Sequence, residues 1–251
     1  MTNPRPEDDQ LGRYYQSDAY ISHSNKTLTI TDRVYKIARA FTLNWKYKLI
    51  HRHAATPPRS VLDFGCGTGS FLRTCKDHGM HIGGVEPSDS ARQLAAKTTG
   101  AHIAADLDNI SDQYDVITLW HVLEHVSNFN DTIQQLRNKL AENGTIFIAV
   151  PNLNSLDAKT YKQHWAGYDV PRHLWHFSIK TMERILSQNH LRVTTILPMK
   201  LDSFYVSILS EKYRNPTRGG SLVNAVVQGR NSNRAAKRTG EYSSLIYIAR
   251  K

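Results

Sequence analysis

The chain has 251 residues, 40% of them hydrophobic and 22% charged, which suffices for one large domain, or one domain with an elaboration, around a real core. No run of about 18 apolar residues occurs, so no helix that spans a membrane is expected. The formal net charge of +10 fits an anionic substrate, nucleic acid, a membrane surface or simply a solvated basic face.

Two cysteines, Cys66 and Cys75, are too few for a disulfide framework. Met1 to Gln10 is polar and acidic, without the basic start and apolar core of a signal peptide. The expected setting is a reducing cytoplasm.

Residues 1 to about 24 are polar and tyrosine-rich, with Tyr14, Tyr15, Tyr20 and His23 close together. From about Thr29 to His53, Val34, Ile37, Ala38, Phe41, Trp45, Leu49 and Ile50 recur at three- and four-residue steps. That spacing predicts an amphipathic helix, ended by Thr56-Pro57-Pro58. Ahead of the first strand, such a segment can fold over a ligand site as a lid.

The next stretch organises the chain. The apolar run Val61-Leu62 ends in Asp63, and Phe64-Gly65-Cys66-Gly67-Thr68-Gly69 follows. The pattern predicts a strand from Ser60 to Asp63, a tight turn, and a helix from Ser70 to about His78. Gly79 marks a C-cap, and His81 to Val85 reads as a second strand closed by Glu86-Pro87. A helix over Ala91 to Lys97 and a short third strand, His102 to Ala105, lead to Asp106. Asp115 to Trp120 is a fourth strand, with a helix beginning around His121 to Val126. A helix from about Asp131 to Leu140, stopped by Asn143-Gly144, precedes a fifth strand, Thr145 to Val150.

Strand–helix alternation over residues 60–152 predicts an α/β fold with a doubly wound, mostly parallel sheet. Residues 153–177 read as irregular and aromatic, with Tyr161, Trp165, Tyr168, Trp175 and Phe177. Ser178 then caps a helix to about Gln188, Leu191 to Leu197 is a sixth strand, residues 211–240 are strongly basic, and Tyr242 to Ala249 is a final β run. The segments divide as an N-terminal helical cover (1–58), a ligand-binding core (59–152) and cap elements with the strands that complete the sheet (153–251).

In an open α/β sheet a ligand sits at such a Gly-rich turn. An acid at the end of the following strand is placed to accept from ribose hydroxyls, and Glu86 meets that requirement. Asp106 is placed to accept from an adenine amino group. The spacing is Gly-x-Gly-x-Gly, not the Gly-x-Gly-x-x-Gly that holds a pyrophosphate on a helix N-terminus. An acid just before the glycines suits a ligand that carries a cation, and S-adenosylmethionine has an ammonium, a sulfonium, a ribose and an adenine.

Val61 to Gly69 resembles the first motif of class I S-adenosylmethionine-dependent methyltransferases. Glu86 resembles their ribose-binding acid and Asp106-Leu107 their adenine-contacting motif. Asp115 to Val126, ending Leu123-Glu124-His125-Val126, is similar to the fourth motif of the branch that includes quinone-biosynthesis O-methyltransferases. Trp165 to Ser178 also resembles a stretch seen in part of this superfamily. The resemblance implies a seven-stranded Rossmann-like methyltransferase sheet, its last strand antiparallel and inserted between strands five and six, with Tyr242 to Ala249 as that strand. The expected cofactor set is Asp63, Gly65, Cys66, Gly67, Gly69, Glu86, Pro87, Asp106, Leu107, Trp120 and His121 within the stretch that carries the resemblance, together with Tyr20 and His23, which are placed to close over the cofactor from the N-terminal cover. Quinone O-methyltransferases often carry an acid where this chain has His121, and no metal is expected here.

Methyl transfer is an in-line displacement, in which the enzyme supplies alignment and, for a hydroxyl or amine, a general base. His121, His125, His173 and His176 are the candidate bases, of which His121 and His173 are the ones expected to be catalytic. Tyr168, Arg172 and His176 are candidate acceptor contacts, with Arg172 suited to an anionic group. A small-molecule acceptor, methylated at oxygen or nitrogen, is favoured over RNA, which the basic 211–240 segment would otherwise suit. A catalytically silent cofactor-binding protein is the alternative of another class. His121-Val122-Leu123-Glu124-His125 also matches the His-x-x-Glu-His zinc hydrolase pattern, which needs a long helix with both histidines on one face.

Overall fold

The computed structural model describes residues 1–7, 10–15, 30–216 and 220–251, and for residues 12, 15 and 30–40 the backbone alone. Tyr20 and His23 lie outside the described residues. No described helix is long and apolar enough to cross a membrane.

The first strand, β1 (Ser60–Phe64), forms where Val61 and Leu62 are fully buried. It pairs in parallel with β2 (His81–Val85) on one side and β3 (Tyr114–Trp120) on the other. Between β1 and β2 runs the helix Ser70–Asp77, which buries Phe71, Leu72 and Cys75 on one face. Between β2 and β3 runs the helix Asp89–Thr99, which buries Ala91, Ala95 and Thr99 and ends on Gly100 in the left-handed conformation. The helix Ile30–His53 precedes β1 and buries Leu49 and Ile50, while Phe41 from the same apolar pattern is exposed.

Three strands complete the sheet: β4 (Leu140–Pro151), β5 (Arg192–Pro198) and β6 (Ser244–Arg250). Hydrogen bonding runs in the order β2-β1-β3-β4-β6-β5. The last strand therefore sits between its two predecessors, as the resemblance implies. It is antiparallel to β5: Thr194 reaches Ile248, whereas Met199, further along, reaches Ser244.

By their contacts the residues form two units. One comprises Asp8–Trp120, Asp131–Phe147 and Arg250–Lys251, and holds β1, β2 and β3. The other comprises Met1–Glu7, His121–Asn130 and Ile148–Ala249, and holds β5 and nearly all of β6. The boundary falls at the Trp120–His121 peptide, inside the segment 59–152 that the sequence groups as one core.

The second unit has its own core. Ala158, Tyr161 and Trp165 pack together, with Leu153, Tyr168 and Val206 against them. Buried Asp157 accepts from Trp165 Nε1 (2.9 Å), Ser232 Oγ (2.6 Å) and Ser243 Oγ (2.7 Å). One carboxylate thus ties the helix Leu156–Tyr161 to the helix Leu222–Thr239 and to the approach to β6.

Several expectations are corrected. Among the described residues the sheet has six strands, not seven: His102 to Ala105 makes only a single parallel bridge, Val85 with Ala104. Only Ile103 and Ala104 of that stretch are buried, and the turn at Asp106 leaves no length for a ladder. Residues after His121 form a short 3₁₀ turn, Leu123–His125, not a helix. The helix before β4, Phe129–Lys139, ends ahead of Asn143-Gly144, because β4 begins at Leu140. Residues 153–177 are not wholly irregular, since Leu156–Tyr161 is helical with Ser155 as its cap. The described part of the basic segment is largely helical, in Asp202–Arg214 and Leu222–Thr239.

Candidate active site

The β1–β3 register sets Asp63 beside Thr118, whose Oγ1–H donates to Asp63 Oδ1 at 2.6 Å. Asp63 is 3% exposed. Burial pushes its carboxyl up to about 7, against the lowering effect of the Thr118 bond and the Lys46 ammonium, with Glu86 adding to the rise.

The chain then turns through Gly65, Gly67 and Gly69, with φ of 73°, 55° and 74°. All three lie in the left-handed region that glycine enters without penalty. At Gly69 the space is also closed: a Cβ would stand 3.0 Å from Ala95 Cα and Thr99 Cγ2. The turn is stitched to the end of β2 by Gly65 N–H and Cys66 N–H, both donating to Val85 O (2.8 and 3.0 Å). Glu86 closes it, because Gly67 N–H donates to Oε2 at 2.8 Å and Ser88 N–H to Oε1 at 3.0 Å. Cys66 is buried, and burial above all pushes its thiol up, so it fills space as a neutral group.

Pro87 is exposed beside Glu86. Asp106, also exposed, accepts on Oδ1 from Asn109 N–H (3.2 Å) and Asn109 Nδ2 (2.6 Å), while Leu107 is buried. Trp120 ends β3 edge-on to Phe71 (5.7 Å), with Lys46 Nζ 4.4 Å above its ring. Its Nε1 is buried with no hydrogen-bond partner among the described residues.

A second constellation, in the other unit, begins at the next residue. His121 has φ 59°, rare for a residue with a side chain and a mark of functional sites. Its N–H donates to Ala149 O (3.0 Å), Nε2 stands 2.9 Å from Asp202 Oδ2, and Nδ1 3.4 Å from Glu124 Oε1. Burial opposes its charge, but Asp202 and then Glu124 outweigh burial and push its pKa up to about 10. The ring is therefore an imidazolium at neutral pH.

Glu124 has no solvent exposure, and neither oxygen accepts a hydrogen bond among the described residues. Burial alone would raise its pKa, yet His121 and the nearby His173 and His125 hold it below the ordinary value. Its backbone oxygen accepts from Leu174 N–H (2.8 Å) and Trp175 N–H (3.2 Å), which anchors residues 173–175 beside it. His125 Nδ1 meets Arg172 O at 3.1 Å, and burial pulls this ring's pKa down to about 4. Buried His173 has Nδ1 2.9 Å from Gly167 O and Nε2 3.7 Å from Asp169 Oδ2. The His125 and His173 rings meet edge to face at 4.5 Å.

Arg172 pairs with Asp169 at 2.7 Å, and Tyr168 lies edge-on to His176 at 5.2 Å. Burial above all pulls His176 down to about 4.

Of the expected cofactor residues, Asp63, Gly65, Cys66, Gly67, Gly69 and Glu86 thus meet at the Gly turn, with Pro87 next in the chain; Trp120 packs on Phe71, Asp106 is turned toward Asn109, and His121 belongs to the histidine–carboxylate cluster. The expected acceptor residues gather along one segment, 168–176. The His-x-x-Glu-His hydrolase pattern is not realised. Its histidines part across a 3₁₀ turn, His121 to Asp202 and His125 to Arg172 and His173. Sequence reasoning assigned no role to Thr118 or Asp202, and named Glu124 only as a member of its motifs. Thr118 carried a signal, a polar residue inside an apolar strand. Asp202 carried none, because only the fold brings it to His121.

Residues 35–196, more than half of the chain, match a family model described as a methyltransferase domain. A ubiquinone biosynthesis O-methyltransferase of Shewanella pealeana is 35% identical over 107 residues, 38% of this chain and 45% of that protein. The chain spans about half the length of the curated relatives it matches. Magnesium protoporphyrin IX methyltransferase from Synechocystis PCC 6803 superposes with a TM-score of 0.60 at 15% identity, over 96% of this chain and 99% of that one. A cyclopropane synthase from Mycobacterium tuberculosis superposes with a TM-score of 0.62 at 12% identity, over 100% of both chains. At such identities the likeness is one of fold.

Proposed function

The chain belongs to the methyltransferase-domain family, and from that premise we propose that it moves a methyl group from S-adenosylmethionine to an oxygen or nitrogen of a small acceptor. One observation carries the choice of ligand: a fully buried carboxylate, Asp63, lies just before the left-handed Gly turn. An anion there repels a pyrophosphate and attracts an ammonium. The orphaned, buried Trp120 Nε1 also fits a cradle built for a polar ligand.

In this reading Asp63 takes the ammonium and the Gly65–Gly69 backbone lies against the ligand. Glu86 takes the ribose hydroxyls: its oxygens already accept Gly67 N–H and Ser88 N–H, and each carboxylate oxygen keeps a further lone pair. Pro87, Asp106, Leu107 and Trp120 border the adenine and the methyl-bearing end, and Tyr20 and His23 add contacts from the N-terminal cover. Bound there, S-adenosylmethionine supplies a methyl on a good sulfonium leaving group, which departs as S-adenosylhomocysteine.

The chain's own contribution is alignment and proton handling. Held at Nε2 by Asp202, His121 is charged and cannot accept a proton. An acceptor hydroxyl or amine that displaces Asp202 removes the chief cause of the raised pKa. Having given its Nε2 proton to the Asp202 carboxylate or to water, the neutral ring then serves as the general base, a step typically worth about 10²–10⁴-fold. His173 is the second candidate, and Arg172, Tyr168 and His176 orient the acceptor.

The test is transfer from methyl-labelled S-adenosylmethionine into a metabolite extract and, separately, into total RNA. Label in a small molecule is expected. Label in RNA overturns the choice of acceptor, and no transfer despite tight cofactor binding favours a silent binding protein.

A further inference from the structure

The segment Met1–Glu7 belongs to the same unit as residues 168–176, and Thr2 meets that stretch at three points. Its N–H donates to Leu174 O at 2.9 Å, its Oγ1–H donates to His173 O at 2.6 Å, and Oγ1 stands 3.2 Å from His176 Nε2. We propose, on the acceptor reading of residues 168–176, that Thr2 is a positioning residue of the acceptor site. It holds His176 as the Nε2–H tautomer and so keeps Nδ1 as the nitrogen that accepts from a hydroxyl or N–H of the methyl acceptor.

The tautomer follows from counting protons. A threonine hydroxyl has one proton to give, a carbonyl oxygen only accepts, and a neutral imidazole has one donor and one acceptor nitrogen. Two oxygens 2.6 Å apart need a proton between them, so the Thr2 proton lies on the line to His173 O. Oγ1 can then only accept from His176, and the hydrogen between them stands on Nε2. Burial above all keeps the ring neutral, with its pKa pulled down to about 4. Nδ1 therefore carries a lone pair, and it has no hydrogen-bond partner among the described residues.

The stretch that carries this ring is fixed on both sides. Leu174 gives its N–H to Glu124 O (2.8 Å), its own oxygen takes the Thr2 N–H, and its side chain is fully buried. Trp175 N–H and Nε1 reach Glu124 O and Val126 O (3.2 and 2.8 Å). Tyr168 lies against the His176 ring, edge-on at 5.2 Å. Backbone, ring and tautomer are set before an acceptor binds, which is what an orienting group contributes to alignment.

A ring of such low basicity leaves the proton on the acceptor, so His176 orients and does not serve as the base. Its lone pair attracts an O–H or N–H and repels a carbonyl or carboxylate oxygen at the same point. His173 differs: Nδ1 is spent on Gly167 O (2.9 Å), and Nε2 stands 3.7 Å from Asp169 Oδ2.

The full chain, labelled with ¹⁵N-histidine and saturated with S-adenosylhomocysteine, is followed at neutral pH by long-range ¹H–¹⁵N NMR. His176→Asn assigns the ring by the loss of its signals. A neutral ring protonated at Nε2 is expected. Thr2→Ser should retain that pattern, whereas Thr2→Val should shift both nitrogens toward a tautomeric average. In the transfer assay, Thr2→Val should raise the apparent KM for the metabolite fraction that takes the label about three- to tenfold, the worth of one hydrogen bond, with kcat within about twofold. Thr2→Ser should keep the parent KM. Thermal melting confirms that each variant is folded. A ring protonated at Nδ1, or charged at neutral pH, overturns the inference, as does a Thr2→Val spectrum identical to the parent's. A fall in kcat at unchanged KM also overturns it. The tautomer is read without turnover, so a chain with the expected spectrum that transfers no methyl refutes the proposed reaction and leaves the Thr2–His176 pairing standing.

Discussion

Replacing Asp63 by Asn separates the two demands on the cradle. The carboxyl is buried, and its pKa of about 7 against an ordinary 3.8 means that charging it costs roughly 4 kcal/mol. The folded-state pKa is raised, so the folded chain holds more protons than the unfolded chain between these values. Stability from this group is full below 3.8 and is lost as pH rises through about 7. Asn keeps an oxygen to accept the Thr118 hydroxyl but cannot ionise, so Asp63→Asn should be the more stable protein at pH 8, by up to about 10 °C in melting temperature. Binding should move the other way. An ammonium needs the ionised carboxylate, so the parent's affinity for S-adenosylhomocysteine should rise about tenfold from pH 6 to pH 8. The variant should bind about 10–100-fold more weakly at pH 8, the worth of a charged hydrogen bond, with a flatter pH dependence. Calorimetry and thermal scans at pH 5, 6, 7 and 8 measure both. An Asn variant that binds within twofold of the parent at every pH refutes the role of Asp63, and one less stable at pH 8 refutes the penalty.

Glu86→Gln keeps one acceptor oxygen for the two N–H groups of Gly67 and Ser88, and the unpaired one costs about 1–3 kcal/mol; S-adenosylhomocysteine affinity by calorimetry should fall at least about tenfold. Gly69→Ala meets a left-handed backbone, worth about 1–2 kcal/mol, and a neighbour at 3.0 Å; its melting temperature should drop by roughly 5–10 °C. Asp157→Ala strips the acceptor from three buried donors and should destabilise the chain by about 3–5 kcal/mol in urea unfolding.

What could be read from the sequence was local. The β1 turn is spelled by an apolar run, an acid and three glycines within nine residues, and Glu86 follows at the end of the next short strand. The structure closes that loop with direct bonds. The third expected strand failed for want of length, since two buried residues make a bridge and not a ladder. In residues 153–177 aromatic density suits a small second core, which Asp157 and Trp165 do build, with partners as distant as Ser232 and Ser243, but it does not announce the helix Leu156–Tyr161.

The histidine–carboxylate cluster is the part that sequence alone could not assemble. Glu124 and His125 stand in a recognisable run, but what they meet is set elsewhere: residues 172–175 by hydrogen bonds to Glu124 and His125, and Asp202 by the helix that it begins. His121 shows why. Its left-handed φ sits where no glycine announces a turn. A glycine would take that conformation without strain; here an imidazole takes it instead, clasped between two carboxylates. Local pattern therefore spells the Gly turn and its acids, whereas the histidine–carboxylate cluster rests on tertiary contacts.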